Sequence, residues 1–458
     1  MKILIKNGTI INEGLSFKGS LFINGEIISE IIPQVGFYDG RDVDIVQYND
    51  KIKSFESEAD KVVDAEGLCI APGIIDDHVH FREPGATHKG SIESESAAAV
   101  LGGVTSYMDM PNNIPPACSL LQVEDKFKIA SRNSYANYSF YLGANNDNIC
   151  EIINVDKKRV CGIKVFMGSS TGNMMIYDPI ALEQIFAKSP ILIATHCEEE
   201  KIIKENLEKA KLRFGVDIPF SEHPNIRSRE ECMESTRKAL KLALKYSSRL
   251  HILHVSTKEE IDMINEAKAV NLKISGEICV HYLWFNDSDY EKYGSKIKCN
   301  PAIKSKEDMI ALRNALKRGS ISVLGTDHAP HLESEKRTSY LDAPSGLPLV
   351  QFSLQMMLEL YKKKVFKIEE VVDRMSHSPA NCFKIKDRGF IREGYYADLV
   401  LFNLNKPSIV VPASRCGWSP FDSFSTSVVH TFVNGTQVVE DSSLTGLKAG
   451  MELRFEID

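Results

Sequence analysis

The chain is poor in the features that mark specialised protein classes. Its 458 residues include ten cysteines but no C-x-x-C pair, and no stretch of 18 apolar residues occurs anywhere. The first absence argues against a disulfide scaffold or a thiolate metal finger, the second against a membrane span. Cysteines such as Cys69 in GLCIAPG and Cys279 in GEICVHYLWF lie in apolar runs, so they read as free and mostly buried thiols. Glycine (28) and proline (18) are too few for a fibrous or disordered chain. Positive charge is short as well: 55 Lys and Arg face 62 Asp and Glu, a formal net charge of −7. The basic residues are scattered, so no stripe is offered to nucleic acid or to an anionic membrane. The opening MKILIKNGTIINEG alternates apolar and polar residues and breaks at Asn7-Gly8, unlike a secretory leader. A reducing cytoplasm is the expected setting.

What is present is an ordinary globular composition, 43% hydrophobic and 26% charged, long enough for one large domain and a smaller one. The first 70 residues read as short strands, KILIKNGTII, SLFINGEIISEII, VDIVQYN and KVVDAEGLCI, punctuated by Asn7-Gly8 and Asn24-Gly25. The same texture returns in YYADLVLFNL, SIVVPA and VVHTFVNGTQVVED, with a turn at Asn434-Gly435. Residues 1–70 and 386–458 are therefore expected to build one small β domain from both termini. Over 71–385, apolar strands ending in polar residues alternate with amphipathic stretches such as KEEIDMINEAKAV and KEDMIALRNALKRG. Seven or eight such units predict an α/β fold, a (β/α)8 TIM-type barrel.

Barrel enzymes place their chemistry at the C-terminal ends of the strands, and here those ends carry ligand-type residues. His78-Val79-His80 closes the run begun by Ile74-Ile75. Residues i and i+2 of a strand face one side, so both imidazoles can reach one metal ion. His196 ends ILIATH, His254 ends HILH and Asp327 ends ISVLGTD. Each alone reads as a core or rim residue. Four imidazoles and a carboxylate at equivalent positions of separate strands form a nitrogen and oxygen set suited to zinc. Lys164, in CGIKVFMGSS, lies inside an apolar strand, where an ammonium is costly to bury. Two readings stand for it. It snorkels outward or pairs with a rim acid, or it is a desolvated neutral amine that takes up carbon dioxide as a carbamate able to bridge two metals.

The segments PGIIDDHVHFREPG, MPNNIPP, GIKVFMGSS, THCEEE, LHVS, NPAIK and GTDHAPH resemble, in order and spacing, the motifs of the dihydroorotases within the cyclic amidohydrolase superfamily. The resemblance runs from about Pro72 to Gly346, and it implies that residues 1–70 and 386–458 form the family's small β-sandwich domain. It implies two zinc ions per chain, one on His78, His80 and Asp327, the other on His196 and His254, bridged by a carboxylated Lys164. Some bacterial members use an aspartate as the bridge, and Asp178 in MMIYDP is the nearest alternative. It follows a Met-rich turn rather than a strand, so Lys164 is preferred. The implied reaction is the reversible interconversion of (S)-dihydroorotate plus water and N-carbamoyl-L-aspartate, a step of de novo pyrimidine synthesis, with Asp327 as general acid and base.

The resemblance also names substrate contacts. Arg82 matches the arginine that grips the substrate carboxylate, a task suited to a planar guanidinium; its bland alternative is a rim salt bridge with Glu83 or another acid. Asn112, Asn300 and His331 match further contacts, and the backbone at Ser345 and Gly346 matches a loop that pairs with the ring amides. Departures occur where the chain reads ICVHYLWF, NPAIK and GLPLVQ, with Gln351 replacing an acid; His281 is left with a packing role. Hydantoinase-like and allantoinase-like relatives usually lack the arginine at position 82. A catalytically silent scaffold subunit is the third reading, although such relatives typically lose metal ligands. The expected partner is a small molecule, with no nucleic acid and no membrane, and a barrel surface permits a homodimer.

Overall fold

Eight segments too apolar to expose on either face make the barrel: Ile74–Val79, Val104–Asp109, Asn137–Gly143, Gly162–Phe166, Ile193–His196, Leu250–Ile252, Ile274–Cys279 and Val323–Gly325. The computed structural model in which they are seen describes residues 1–34, 37, 38, 41, 42, 45–168 and 174–457. The strands pair in chain order, all parallel, and nearly every residue in them is buried, as a sheet covered on both faces requires. At the C-terminal mouth the ring is closed by His80, whose N–H donates to His328 O at 2.7 Å. The third strand escapes a sequence reading because NYSFYLG mixes aromatic and polar residues without a clean apolar run. Several helices between strands begin on side-chain caps. Thr257 and Ser305 accept from the backbones of Glu260 and Asp308, whose carboxylates return the bond.

The termini form one mixed nine-stranded sheet beside the barrel. Lys2–Asn12 pairs antiparallel with Leu15–Asn24 and parallel with both Lys61–Asp64 and Cys69–Pro72. Cys69–Pro72 then pairs antiparallel with Leu399–Asn403, which continues into Ser427–Val433. A register shift between Ile5 and Gly8 marks an irregularity in the first strand. Ile3, Ile5 and Leu21 share one core with Leu399, Leu401 and Phe432 from the other end of the sheet. The turns at Asn24-Gly25 and Asn434-Gly435 meet, and a Cβ on Gly435, at φ 71°, would lie 2.0 Å from Gly25 O. Only glycine fits there.

One strand expectation fails. VDIVQYN, apart from Val43 and Asp44, which lie outside the described residues, opens the helix Ile45–Glu58. Tyr48 and Ile52, four residues apart, bury against Leu4 and Phe22, so the helical period wins over a short alternation that fits either. The terminal sheet is keyed to the barrel where Thr431 Oγ1 donates to Val100 O at 2.8 Å. The chain end crosses back to the barrel, with Leu453 N–H donating to Tyr138 O at 2.9 Å. All ten cysteines are unpaired and seven are buried. No helix among the described residues is long and apolar enough to cross a membrane.

Candidate active site

A cavity of about 340 Å³ opens at the C-terminal mouth of the barrel. Its lining brings together His78, His80, Arg82, Asn112, Lys164, His196, His254, Asn300, Asp327, His331, Ser345 and Gly346, all twelve residues to which the resemblance gives a metal or substrate role. Three of them reach it through left-handed backbone: Arg82 at φ 66°, His254 at φ 41° and Asp327 at φ 48°. Such conformations are costly for non-glycine residues and concentrate at functional sites.

The hydrogen bonds at the cavity floor fix the imidazole tautomers. Carbonyl and carboxylate oxygens only accept, so His80 Nδ1–H donates to Asn112 Oδ1 at 2.6 Å and His78 Nδ1–H to Glu277 at 3.1 and 3.2 Å. Both Nε2 lone pairs then face Asp327 Oδ1, at 2.9 Å from His80 and 3.3 Å from His78. Burial keeps these rings neutral, pushing His80 down to about 4 and His78 to about 3. In the other half, His196 Nε2–H donates to Glu198 Oε2 at 2.7 Å, and its Nδ1 lies 2.8 Å from His254 Nε2.

Lone pairs converging on a carboxylate repel unless a cation lies among them. Metal-ligating histidines characteristically have the remote nitrogen fixed by an acceptor, as it is here for His78, His80 and His196. The residues present therefore fit a metal centre of nitrogen and oxygen donors. Lys164 is 1% exposed and faces this cavity, which removes the outward-snorkelling reading. Burial pushes its ammonium down to about 8, and no hydrogen bond or ion pair reaches its Nζ among the described residues. Asp178 instead caps the helix Pro179–Lys188, accepting from Ile180 N–H at 2.9 Å.

Sequence reasoning missed the supports. Glu277, fully buried, bonds His78 and also accepts from His254 N–H at 3.3 Å, linking the two halves of the floor. Its signal was an acid inside an apolar strand, the same signal that exposed Lys164. Glu198 is paired with Arg227. A buried pair, Lys126 with Asp109 at 2.6 Å, holds the loop bearing Asn112, since Lys126 Nζ also donates to Met110 O and Asn113 Oδ1 at 2.8 Å each. His281 is buried, and its ring packs on Tyr282 with centroids 4.2 Å apart.

The rim has the opposite character. Lys89 Nζ donates to His331 Nδ1 at 3.2 Å, which leaves His331 Nε2–H to donate to Ser345 O at 3.1 Å. Arg82 Nη2 lies 3.0 Å from that same Nε2, so one neutral imidazole cannot satisfy all three neighbours. Burial and the charges of Arg82, Lys89 and Lys336 hold His331 neutral, far below its ordinary value. Glu83 is not the partner of Arg82, because its carboxylate accepts from Ile92 N–H at 2.8 Å. Among the described residues no carboxylate lies within ion-pair distance of Arg82. Asn300 Oδ1, also on the lining, is buried without a hydrogen-bond partner.

Comparison with known proteins agrees with this geometry. The family described as "Amidohydrolase family" matches residues 69–438. A dihydroorotase of Methanosarcina acetivorans is 33% identical over 401 residues, covering 83% of this chain and 85% of that protein. An allantoinase of Desulfitobacterium hafniense is 29% identical over 433 residues, covering 90% and 95%. The solved L-hydantoinase (dihydropyrimidinase) from Arthrobacter aurescens superposes with a TM-score of 0.89 at 26% identity over 99% of each chain. The chain belongs to the amidohydrolase family, as a cyclic amidohydrolase.

Proposed function

We propose that this cyclic amidohydrolase is a zinc-dependent dihydroorotase, interconverting (S)-dihydroorotate plus water and N-carbamoyl-L-aspartate in pyrimidine synthesis. The observation that carries the reading is Arg82: a guanidinium at the cavity wall with no ion-paired acid among the described residues calls for an anion, and a ring carboxylate supplies one. The neutral rings of hydantoins or dihydropyrimidines leave that charge unanswered. A silent scaffold is disfavoured by the complete ligand set.

In this reading His78, His80 and Asp327 would hold one zinc ion, His196 and His254 a second, and a carbamate on Lys164 would join them. When bound, the centre supplies Lewis acidity at the amide carbonyl and a more acidic water. Asp327 takes the proton of the attacking water and returns it to the leaving ring nitrogen. Arg82, Asn112 and His331 hold the carboxylate and so aim the carbonyl at the floor, while Asn300 and the backbone of Ser345 and Gly346 pair with ring polar groups. Ring closure runs the same path backwards, with Asp327 first accepting the amide proton. Purified protein should turn over dihydroorotate, lose that activity to a chelator and regain it with zinc; chelator-insensitive turnover contradicts the reading.

A further inference from the structure

Behind the cavity wall that carries Ser345 and Gly346 lie two buried ammonium groups that the reaction does not use. Lys336 is 1% exposed and donates to Pro344 O at 2.9 Å, Gly346 O at 3.0 Å and Lys298 O at 3.3 Å. Lys298 donates to Tyr340 O and Ala343 O at 2.6 Å each. Among the described residues neither has a carboxylate within ion-pair distance. Carbonyl dipoles satisfy the N–H groups but leave the charge uncancelled, and burying an unpaired charge is expensive. Burial accordingly presses Lys336 down to about 7 and Lys298 to about 8. Neutral donors could tie down a loop at lower cost, so the charge itself calls for a use.

The surroundings supply one. The charges of Arg82, Lys89 and Lys336 all act on His331. Of these three, Lys89 alone has an acid partner among the described residues, Glu335 at 2.7 Å. Trp418 closes the outer side: its Nε1–H donates to His331 O at 2.7 Å and its ring centroid lies 5.9 Å from Lys336 Nζ. Screening by water is thereby reduced on this side of the rim.

We propose that Lys336 is a specificity-determining positioning residue, which fixes the Pro344–Gly346 wall by its carbonyls and, when protonated, adds positive charge behind that wall, selecting a ring that bears a carboxylate over its neutral counterpart. This rests on the reading of the cavity as a site for a carboxylated cyclic amide. The test uses orotate and uracil, planar rings that differ by one carboxylate, titrated into the zinc-loaded protein at about pH 6, where Lys336 carries its proton, together with dihydroorotate kinetics at the same pH. Lys336→Met should raise the orotate Kd about tenfold and the uracil Kd less than about twofold, with KM for dihydroorotate rising and kcat nearly unchanged. Lys336→Arg should restore orotate binding to within about threefold. Lys298→Met, one step further from the cavity, should show the same pattern more weakly and keeps the test open if Lys336→Met does not fold. Equal weakening of orotate and uracil, or none, overturns the proposal. A wild-type protein that does not prefer orotate to uracil overturns instead the parent reading of an anion site.

Discussion

At the floor of the cavity His78, His80, His196 and His254 present ring nitrogens, three of them tied on their far sides to Glu277, Asn112 and Glu198, whereas at the rim Arg82, with Lys336 behind it, has no ion-paired acid among the described residues. The floor is a concentration of acceptors that asks for cations, and the rim is a concentration of donors that asks for an anion. In the proposed function, a carboxylated cyclic amide would answer the rim with its carboxylate and turn its carbonyl to the floor. The contrast separates chemistry from specificity. Relatives named for different rings can share the floor while differing at the rim.

The sharpest break of the floor is Lys164→Ala. With the bridge gone, kcat should fall by about a thousandfold or more, roughly 4 kcal/mol of transition-state stabilisation, while orotate binding at the rim persists. Short carboxylic acids with added zinc should restore part of the activity, and a fully active alanine variant would end the bridging role. Next in size, Glu277→Gln should weaken zinc affinity about 10- to 100-fold, read by metal titration, because a carboxylate behind a ligating imidazole raises its basicity and fixes its orientation. An unchanged affinity would show that Glu277 only packs.

The smallest effect falls on the rim and is read through stability. Lys336 is pushed from 10.5 down to about 7. Between those values the unfolded chain binds a proton that the folded chain does not, so this residue makes stability rise with pH from about 7 to 10.5. Below about 7 its full cost is present. Lys336→Met should therefore flatten the rise in denaturant midpoint between pH 7 and 9, and identical slopes in the two proteins would contradict the burial of an unpaired charge.

The floor was legible in the sequence because it follows strand periodicity: His78 and His80 two apart, and His196, His254 and Asp327 each closing an apolar run. The rim was legible at Arg82 and His331 only through family resemblance. Glu277 went unread because its partners His78 and His254 belong to other strand ends, and pairing across the barrel is not a local pattern, whereas Glu198 stands only two residues from His196 and was passed over in an acidic run. Lys336, in ESEKR, has the texture of an exposed helix, and its burial under Trp418 is a tertiary fact. The same holds for VDIVQYN, where packing against Leu4 and Phe22 chose the helix. The left-handed backbone at Arg82, His254 and Asp327 left no trace in residue type, since none is glycine.

The central claim, that an uncancelled rim cation selects a carboxylated ring for a shared hydrolytic floor, is tested most directly by comparing kcat/KM for dihydroorotate and dihydrouracil in the zinc-loaded wild type and in Arg82→Met. The wild type should prefer dihydroorotate. The variant should lose about a hundredfold on that substrate, roughly 3 kcal/mol, the order of a broken charge-assisted pair, and change little on dihydrouracil. A wild type that prefers dihydrouracil, or a variant that loses both activities equally, would contradict it.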